Sequence, residues 1–253
     1  METLDGRCAL VTGASSGIGA ATAIKLASLG AKVALVARRR ELLEGVMDEI
    51  HSSGGQAITI DADLSDRNSA GRVISQVISN FGQLGIVVNN AGVMLNGPVE
   101  GAPLNEWERM VSLNILGTLY VAHAALPFLL KDAEQNRSKV ADMVNVSSVA
   151  GRKARRGAGV YNLTKFGINA FSESLREEVT ARHVRVSVIE PGATATELPT
   201  HQRPEIQAQS KERFGKIERL EAEDVAESIA YIVTRPRRVS ISEILVRPTG
   251  MEF

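Results

Sequence analysis

The sequence predicts an α/β protein built on a doubly wound sheet of seven parallel strands. Short apolar segments alternate along the chain with longer segments that carry a helical period. Several apolar segments are bounded by Gly, Asn or Pro, as buried parallel strands tend to be. A regular alternation of strand and helix is the pattern of βαβ units, and these units build a sheet of this kind.

Seven apolar segments are assigned as strands: residues 8–11, 33–37, 57–61, 86–89, 143–146, 184–189 and 244–246. Residues 132–139 are polar and are expected to form an exposed loop. Residues 198–217 are polar and contain two prolines, so we expect an irregular segment that covers the ligand edge of the sheet as a lid. The alternative for this segment is a surface excursion without a function. Since no linker divides the chain, residues 1–253 are treated as a single domain.

Composition argues against several classes of protein. The 29 basic and 29 acidic residues cancel, which argues against nucleic acid as a partner, because phosphate backbones bind clustered positive charge. Cys8 is the only cysteine, so an intrachain disulfide and a thiolate metal cluster are excluded. The histidines lack ligand spacing, and we expect no metal. We also expect no membrane-spanning segment and no signal peptide, and therefore a cytoplasmic location.

A glycine-rich turn follows the first predicted strand and leads directly into a helix. It consists of Thr12, Gly13, Ala14, Ser15, Ser16, Gly17, Ile18 and Gly19. Glycines permit a tight turn whose backbone N–H groups approach a pyrophosphate, and the positive end of the helix dipole then faces the anion. Because it lies between a strand and a helix, the turn indicates a Rossmann-type dinucleotide site.

The second predicted strand ends without the acid that selects NAD. Ala37 and Arg38 stand about where a carboxylate would bind the ribose 2′-hydroxyl. Arginine pairs instead with a 2′-phosphate through a charge-assisted fork. Arg38, with Arg39 as helper, therefore predicts NADP(H) as the cofactor. The alternative is a solvated basic helix start, which the helix macrodipole disfavours.

These features resemble the short-chain dehydrogenase/reductase family over nearly the whole chain. The turn is similar to the family's TGxxxGxG motif, and residues 89–92 match its NNAG motif. Residues 161–176, 188–198 and 243–249 are similar to bacterial NADP-dependent members such as clavaldehyde (clavulanate) dehydrogenase. The resemblance implies a catalytic tetrad of Asn114, Ser148, Tyr161 and Lys165. It implies cofactor contacts from Gly13, Ser15, Ser16, Gly17, Ile18, Gly19, Arg38, Arg39, Asp63, Leu64, Asn90, Ala91, Gly92, Tyr161, Lys165, Pro191, Gly192, Thr194 and Thr196.

Tyr161 and Lys165 are spaced for proton transfer. They are four residues apart in a helical pattern and therefore share one face of the helix. A nearby ammonium favours the phenolate, so we expect the pKa of Tyr161 to fall toward the working pH. Ser147 and Ser148 both end the fifth strand, and the family's spacing favours Ser148. The resemblance implies that Asn114 holds a water molecule that connects Lys165 to solvent.

The sequence therefore predicts an NADP(H)-dependent oxidoreductase acting on CH–OH groups, which interconverts a ketone or aldehyde and an alcohol with Tyr161 as acid/base. An NADP(H)-binding regulatory protein and a nucleotide-sugar epimerase remain alternatives, disfavoured by the intact tetrad and by the compact length. The basic segment 152–156 suggests an anionic substrate, unless it is simply a solvated loop. The family usually assembles through the helices at 106–130 and 161–182, which implies a homotetramer.

Overall fold

The computed structural model describes residues 3–215 and 217–251, and within them all seven predicted strands join one parallel sheet. The strands are β1 (Cys8–Thr12), β2 (Lys32–Ala37), β3 (Gln56–Asp61), β4 (Ile86–Asn89), β5 (Ala141–Val146), β6 (Val184–Pro191) and β7 (Glu243–Val246). Their order across the sheet is β3-β2-β1-β4-β5-β6-β7. The chain winds outward from β1 in one direction and then, from β4, in the other. This topology confirms the predicted doubly wound, Rossmann-type fold.

Helices cover both faces of the sheet. They are α1 (Gly17–Ser28), α2 (Arg40–Ser52), α3 (Ser69–Phe81), α4 (Leu104–Met110), α5 (Thr118–Gln135), α6 (Gly159–Val179), α7 (Pro204–Phe214) and α8 (Ala222–Val233). On one face, α1, α2 and α8 bury apolar side chains such as Leu26 and Ile229. On the other, α3, α5 and α6 bury side chains such as Val73 and Leu175. Because both faces are covered, β1, β4, β5 and β6 are buried at every position.

All the strands end at one edge of the sheet, and this edge gathers the predicted motifs. The glycine-rich turn follows β1, the NNAG motif spans the end of β4, and the serine pair follows β5. Pro191 is the last residue of β6. Parallel strands bring their carboxyl ends together, so motifs that are far apart in the sequence converge there.

The long helix between β4 and β5 contains a π-helical stretch. Residues Val111–Gly117 follow α4 and precede α5 without a break. The hydroxyl of Thr118 donates to the backbone carbonyl oxygen of Asn114 at 3.0 Å. A Cβ atom on Gly117 would lie 3.0 Å from the carbonyl oxygen of Leu64, so this stretch lies close to the loop after β3. Short π-helices inside α-helices are frequent at functional sites.

The expected exposed loop at 132–139 is partly wrong, because α5 continues to Gln135. The side chain of Asp132 is buried. Burial raises the pKa of Asp132, and a hydrogen bond from Asn136 and the charge of Arg7 only partly oppose this rise. The sequence suggested exposure because these residues are polar, and burial of an aspartate beside polar and charged partners is not visible in a local pattern.

Helical structure replaces the irregular conformation expected for residues 198–217. A 3₁₀ helix spans Leu198–His201, and α7 follows it after two residues. Pro199 and Pro204 both stand in the first turn of their helices, where a missing N–H costs nothing. The prolines therefore begin helices here and do not break them. Lys216 lies outside the described residues.

One helical span within the described residues, Leu104–Gln135, is long and apolar enough to cross a membrane by length and composition. Such a span was not expected from the sequence. The core helix of an α/β domain passes the same test, and here Val121, Ala125 and Leu129 are buried against the sheet.

Candidate active site

A cavity of about 380 Å³ opens at the carboxyl edge of the sheet. The predicted site residues that line it are Gly13, Ser15, Ser16, Gly17, Ile18, Arg38, Arg39, Asp63, Leu64, Asn90, Ala91, Gly92, Ser148, Tyr161, Lys165, Pro191, Gly192, Thr194 and Thr196. The other two predicted site residues, Gly19 and Asn114, do not line the cavity and are buried. The structure thus brings the predicted cofactor residues and the predicted catalytic residues to one cavity.

The glycine-rich turn forms a cradle for phosphate groups. Gly13 and Gly17 have φ angles of +65° and +53°, a region that favours glycine. A Cβ atom on Gly19 would fall 2.2 Å from the carbonyl oxygen of Gly13, so glycine lets α1 begin directly against the turn. Among the described residues, no side chain caps the N-terminus of α1 at Ser16, and its first turn holds no acid. These features fit a pyrophosphate at the helix N-terminus.

Arg38 and Asp63 lie at the end of the cavity nearest β2. Arg38 is exposed at the rim. Although burial opposes the shift, hydrogen bonds from Ser65 and the charge of Arg38 hold the pKa of Asp63 below its usual value. The end of β2 carries Ala37 and Arg38 and no carboxylate, so a 2′-phosphate bound there would face a cation.

Arg39 reaches across the phosphate turn. One of its terminal nitrogens, Nη2, lies 3.1 Å from the hydroxyl of Ser15 and 2.9 Å from that of Ser16. The same nitrogen lies 2.8 Å from Oε2 of Glu197, on the opposite side of the cavity mouth. Arginine and two hydroxyl groups form a donor set that suits phosphate oxygens. This end of the cavity therefore fits a phosphorylated dinucleotide.

Tyr161 is buried in the cavity wall, with 6% of its surface exposed. Its hydroxyl forms a hydrogen bond with the side chain of Ser148. Burial raises the pKa of Tyr161 to about 12, and the bond from Ser148 opposes this only in part. The expected fall in the tyrosine pKa is therefore wrong for this structure, because the desolvation of the phenolate outweighs the stabilisation that was expected.

The ammonium of Lys165 binds a backbone carbonyl oxygen near the tyrosine ring. Its Nζ donates to the backbone carbonyl oxygen of Val146 at 2.8 Å and lies 5.7 Å from the centre of the Tyr161 ring. Burial lowers the pKa of Lys165 to about 8. Both groups are thus shifted toward their neutral forms, and the ammonium is directed to the end of β5.

The two serines at the end of β5 have different surroundings. Ser148 accepts a hydrogen bond from the backbone N–H of Ala150 at 3.1 Å and contacts Tyr161. Ser147 is buried, and its hydroxyl donates to the carbonyl oxygen of Lys165 at 3.3 Å. The geometry therefore favours Ser148 as the substrate-facing serine, as the family spacing does.

Asn114 fastens the π-helical stretch to the loop after β4. Its Oδ1 accepts from the backbone N–H of Val93 at 2.8 Å, and its Nδ2 donates to the carbonyl oxygen of the same residue at 2.9 Å. Nδ2 also donates to the hydroxyl of Thr164 at 3.2 Å. These bonds occupy the side-chain amide with the protein's own groups, and the predicted water stays a prediction.

The basic segment 152–156 is divided between two roles. Arg152 turns away from the cavity, with its Nε 2.7 Å from the fully buried carboxylate of Glu190 and an ion pair to Glu243. Arg155 lines the cavity. A substrate-facing role for Arg152 is therefore wrong, because a buried acid on β6 holds its guanidinium. Of these two arginines, Arg155 remains the candidate contact for an anionic substrate.

Several lining residues were not identified from the sequence, among them Glu197, His201, Arg219 and Met251. Glu197 meets Arg39 across 158 positions of sequence, so no local spacing indicates the contact. Met251 follows the last strand, and a Cβ atom on Gly192 would lie 3.0 Å from its sulfur. To find this contact from the sequence, one would have had to predict that residue 251 packs against Gly192, directly after β6.

Comparison with known proteins agrees with this arrangement. Residues 7–207 match the short chain dehydrogenase family. An uncharacterized oxidoreductase of Staphylococcus epidermidis is 33% identical over 248 residues, which is 98% of this chain and the whole of that protein. The finer resemblance to clavaldehyde dehydrogenase is only a loose comparison.

Three solved structures show the same fold. A serine dehydrogenase in its closed form with NADP+ is 28% identical, with a TM-score of 0.88 over 97% of this chain and 96% of that one. A metagenomic short-chain oxidoreductase with NADP is 32% identical, with a TM-score of 0.81 over 97% and 98%. A short-chain dehydrogenase/reductase from Burkholderia phymatum with NAD is 25% identical, with a TM-score of 0.85 over 97% and 90%.

Proposed function

The chain belongs to the short-chain dehydrogenase/reductase family of oxidoreductases, and we propose that it interconverts a ketone or aldehyde and an alcohol with NADP(H). One observation carries the proposal. The hydrogen-bonded pair of Tyr161 and Ser148 lines the same cavity as the phosphate turn. A substrate oxygen placed between these two hydroxyls would receive a hydrogen bond from each.

Tyr161 is the proton donor in the direction of reduction. Its pKa of about 12 keeps the phenol protonated at neutral pH, which is the state that protonates a developing alkoxide. Ser148 orients the substrate oxygen. In the direction of oxidation the phenol has to lose its proton, and the positive charge of Lys165, whose Nζ is 5.7 Å from the centre of the ring, favours that loss.

NADP(H), when bound, supplies or accepts the hydride. The turn around Ser16 would hold its pyrophosphate, and Arg38 with Arg39 would hold its 2′-phosphate. By resemblance, Thr194 and Thr196 anchor the carboxamide end. Both NADP and NAD occur among the related structures, so the preference for NADP rests on the arginines of this chain.

The proposed substrate is a small molecule that carries an anionic group. Arg155 and Arg219 both line the cavity that holds the catalytic pair and bring positive charge to it. Positive walls concentrate an anion and increase its association rate at low salt. The related serine dehydrogenase is named for a substrate with a carboxylate, which agrees with this choice. We propose that residues 198–217 act as the lid over this substrate and that the enzyme works in the cytoplasm.

The test is a screen for NADPH oxidation with aldehydes, ketones and keto acids, with NADH measured in parallel. We expect turnover with at least one carbonyl compound and a higher kcat/KM with NADPH. The Tyr161→Phe variant is the control, since it keeps the cavity and removes the proton donor. Binding of NADPH without turnover of any carbonyl, by wild type and variant alike, would favour a regulatory protein.

A further inference from the structure

The carboxylate of Glu197 lies on the turn that would hold the cofactor's phosphates. Its Oε2 is 2.8 Å from Nη2 of Arg39. The same nitrogen of Arg39 contacts the hydroxyls of Ser15 and Ser16. The glutamate thus occupies the arginine that would bind the 2′-phosphate.

Glu197 also stands at the start of the proposed lid. It directly precedes the 3₁₀ helix Leu198–His201, and it lines the cavity. A Cβ atom on Gly17 would lie 3.0 Å from Cγ2 of Thr196, so the residue before Glu197 touches the phosphate turn as well. The chain after β6 therefore crosses the turn, and the Arg39–Glu197 pair joins the two sides of the cavity mouth.

We propose that Glu197 is a specificity-determining residue for the cofactor, because it competes with the 2′-phosphate for Arg39. The proposal rests on the proposed use of a nicotinamide dinucleotide. A dinucleotide without the 2′-phosphate leaves the Arg39–Glu197 pair intact. A dinucleotide with the 2′-phosphate has to break the pair and brings a second negative group close to Glu197. The glutamate therefore weakens the binding of NADPH and leaves that of NADH nearly unchanged.

The size of the effect follows from the exposure of the pair. The side chains of Arg39 and Glu197 are 46% and 47% exposed, so solvent and salt screen their attraction. Removing the charge of Glu197 ends both its competition for Arg39 and its repulsion of the phosphate. NADPH binding should then strengthen about two- to tenfold at low ionic strength. The gain should shrink as salt is added.

The experiment measures the Kd of NADPH, NADH, 2′-AMP and 5′-AMP for the wild type and for Glu197→Gln, at low and high ionic strength. Glutamine has the same shape without the charge. We expect tighter binding of NADPH and 2′-AMP, with NADH and 5′-AMP unchanged. Glu205→Gln is the matched control, since Glu205 stands on the same segment and pairs with Arg203 at 2.9 Å. It removes the same charge and should leave all four constants unchanged.

Two results would overturn the proposal: unchanged binding of 2′-AMP to Glu197→Gln, or equal gains for NADPH and NADH. In the second case the glutamate would hold the mouth closed without selecting a cofactor. In an Arg39→Ala background the effect of Glu197→Gln on 2′-AMP should shrink to the part that comes from direct repulsion of the phosphate, and an undiminished effect would also contradict the competition. A wild type that prefers NADH would refute the proposed cofactor, whereas the comparison of 2′-AMP with 5′-AMP would still decide the role of Glu197.

Discussion

Lys165 lies one helical turn after Tyr161, but its ammonium donates to the carbonyl oxygen of Val146 and is 5.7 Å from the centre of the tyrosine ring. Both side chains are buried, and burial moves the pKa of each toward the neutral form of the group. The arrangement suits a tyrosine that donates its proton.

The Tyr161→Phe variant should lose most turnover and keep its fold and cofactor affinity. The change removes one hydroxyl from a buried ring, so packing survives while the proton donor is lost. General acid catalysis is worth about 10²- to 10⁴-fold, and kcat should fall by that factor. Steady-state rates and the Kd of NADPH check the prediction. Near-normal turnover of the pure variant would contradict the mechanism.

The Lys165→Met variant should be more stable than the wild type at neutral pH. Because burial lowers the pKa of Lys165 from 10.5 to about 8, the unfolded chain binds this proton more tightly than the folded chain does. The stability of the wild type therefore rises with pH from about 8 to 10.5, and the charged form costs stability below that window. The cost is on the order of 3 kcal/mol, and loss of the bond to Val146 offsets about 1–3 kcal/mol of the gain.

Denaturant unfolding from pH 7 to 10.5 measures this difference for Lys165→Met against the exposed control Lys131→Met. We expect an advantage for Lys165→Met on the order of 1 kcal/mol at pH 7, which decreases as the pH rises. An advantage that grows with pH would show that the sign is wrong.

The Arg38→Asp variant should reverse the cofactor preference. Loss of a charge-assisted contact to the 2′-phosphate should cost about 1.5–3 kcal/mol, and the new carboxylate should accept a hydrogen bond from the ribose of NADH. The ratio of kcat/KM with NADPH to that with NADH should fall at least tenfold. If the two efficiencies keep their ratio, Arg38 does not bind the phosphate.

Substitution of Arg152 should lower stability, whereas substitution of Arg155 should change the choice of substrate. Arg152→Ala leaves the buried Glu190 without its cation and should lower the free energy of unfolding by about 2 kcal/mol, less than the roughly 3–5 kcal/mol of a fully buried pair. Arg155→Ala should reduce kcat/KM for a keto acid relative to its methyl ester, most at low salt. An equal loss for acid and ester would refute an anionic substrate.

A homotetramer is predicted, and its interface should include the exposed apolar side chains of α6 and the π-helical stretch. Phe166 is 43% exposed and Leu163 is 62% exposed. Phe166→Glu should reduce the oligomer mass measured by light scattering at micromolar concentration. Leu42→Glu is the control, since Leu42 is 42% exposed on α2. A monomeric wild type would refute the assembly.

The sheet was predictable because a parallel strand with two covered faces leaves a short apolar run in the sequence. The residues of the glycine-rich turn and of α6 were predictable from their motifs, and the structure gathers them around one cavity. Their roles in binding and catalysis remain predictions, for which the variants above are the test.

Other features depend on contacts that no local pattern records. The pair of Arg39 and Glu197 forms between segments that meet only in the folded chain. The pKa of Tyr161 depends on how much the whole fold desolvates the ring. Arg152 looked like a substrate contact because its buried partner, Glu190, lies on a different strand. Residues 132–135 and 204–214 are polar, and the sequence predicted a loop and an irregular segment where the structure has the end of α5 and α7.

The π-helical stretch Val111–Gly117 has a consequence for changes in chain length. A π-helical turn is equivalent to one extra residue in an α-helix. Because the wider turn absorbs that residue, deleting one residue there would restore an α-helical turn while α4 and α5 keep nearly the same orientation. The residues of the stretch itself would shift, and Asn114 would lose its position against Val93, which it now binds through both ends of its amide. Substitutions that preserve the packing should be tolerated in this segment, whereas a single-residue deletion should abolish the site while leaving the sheet intact.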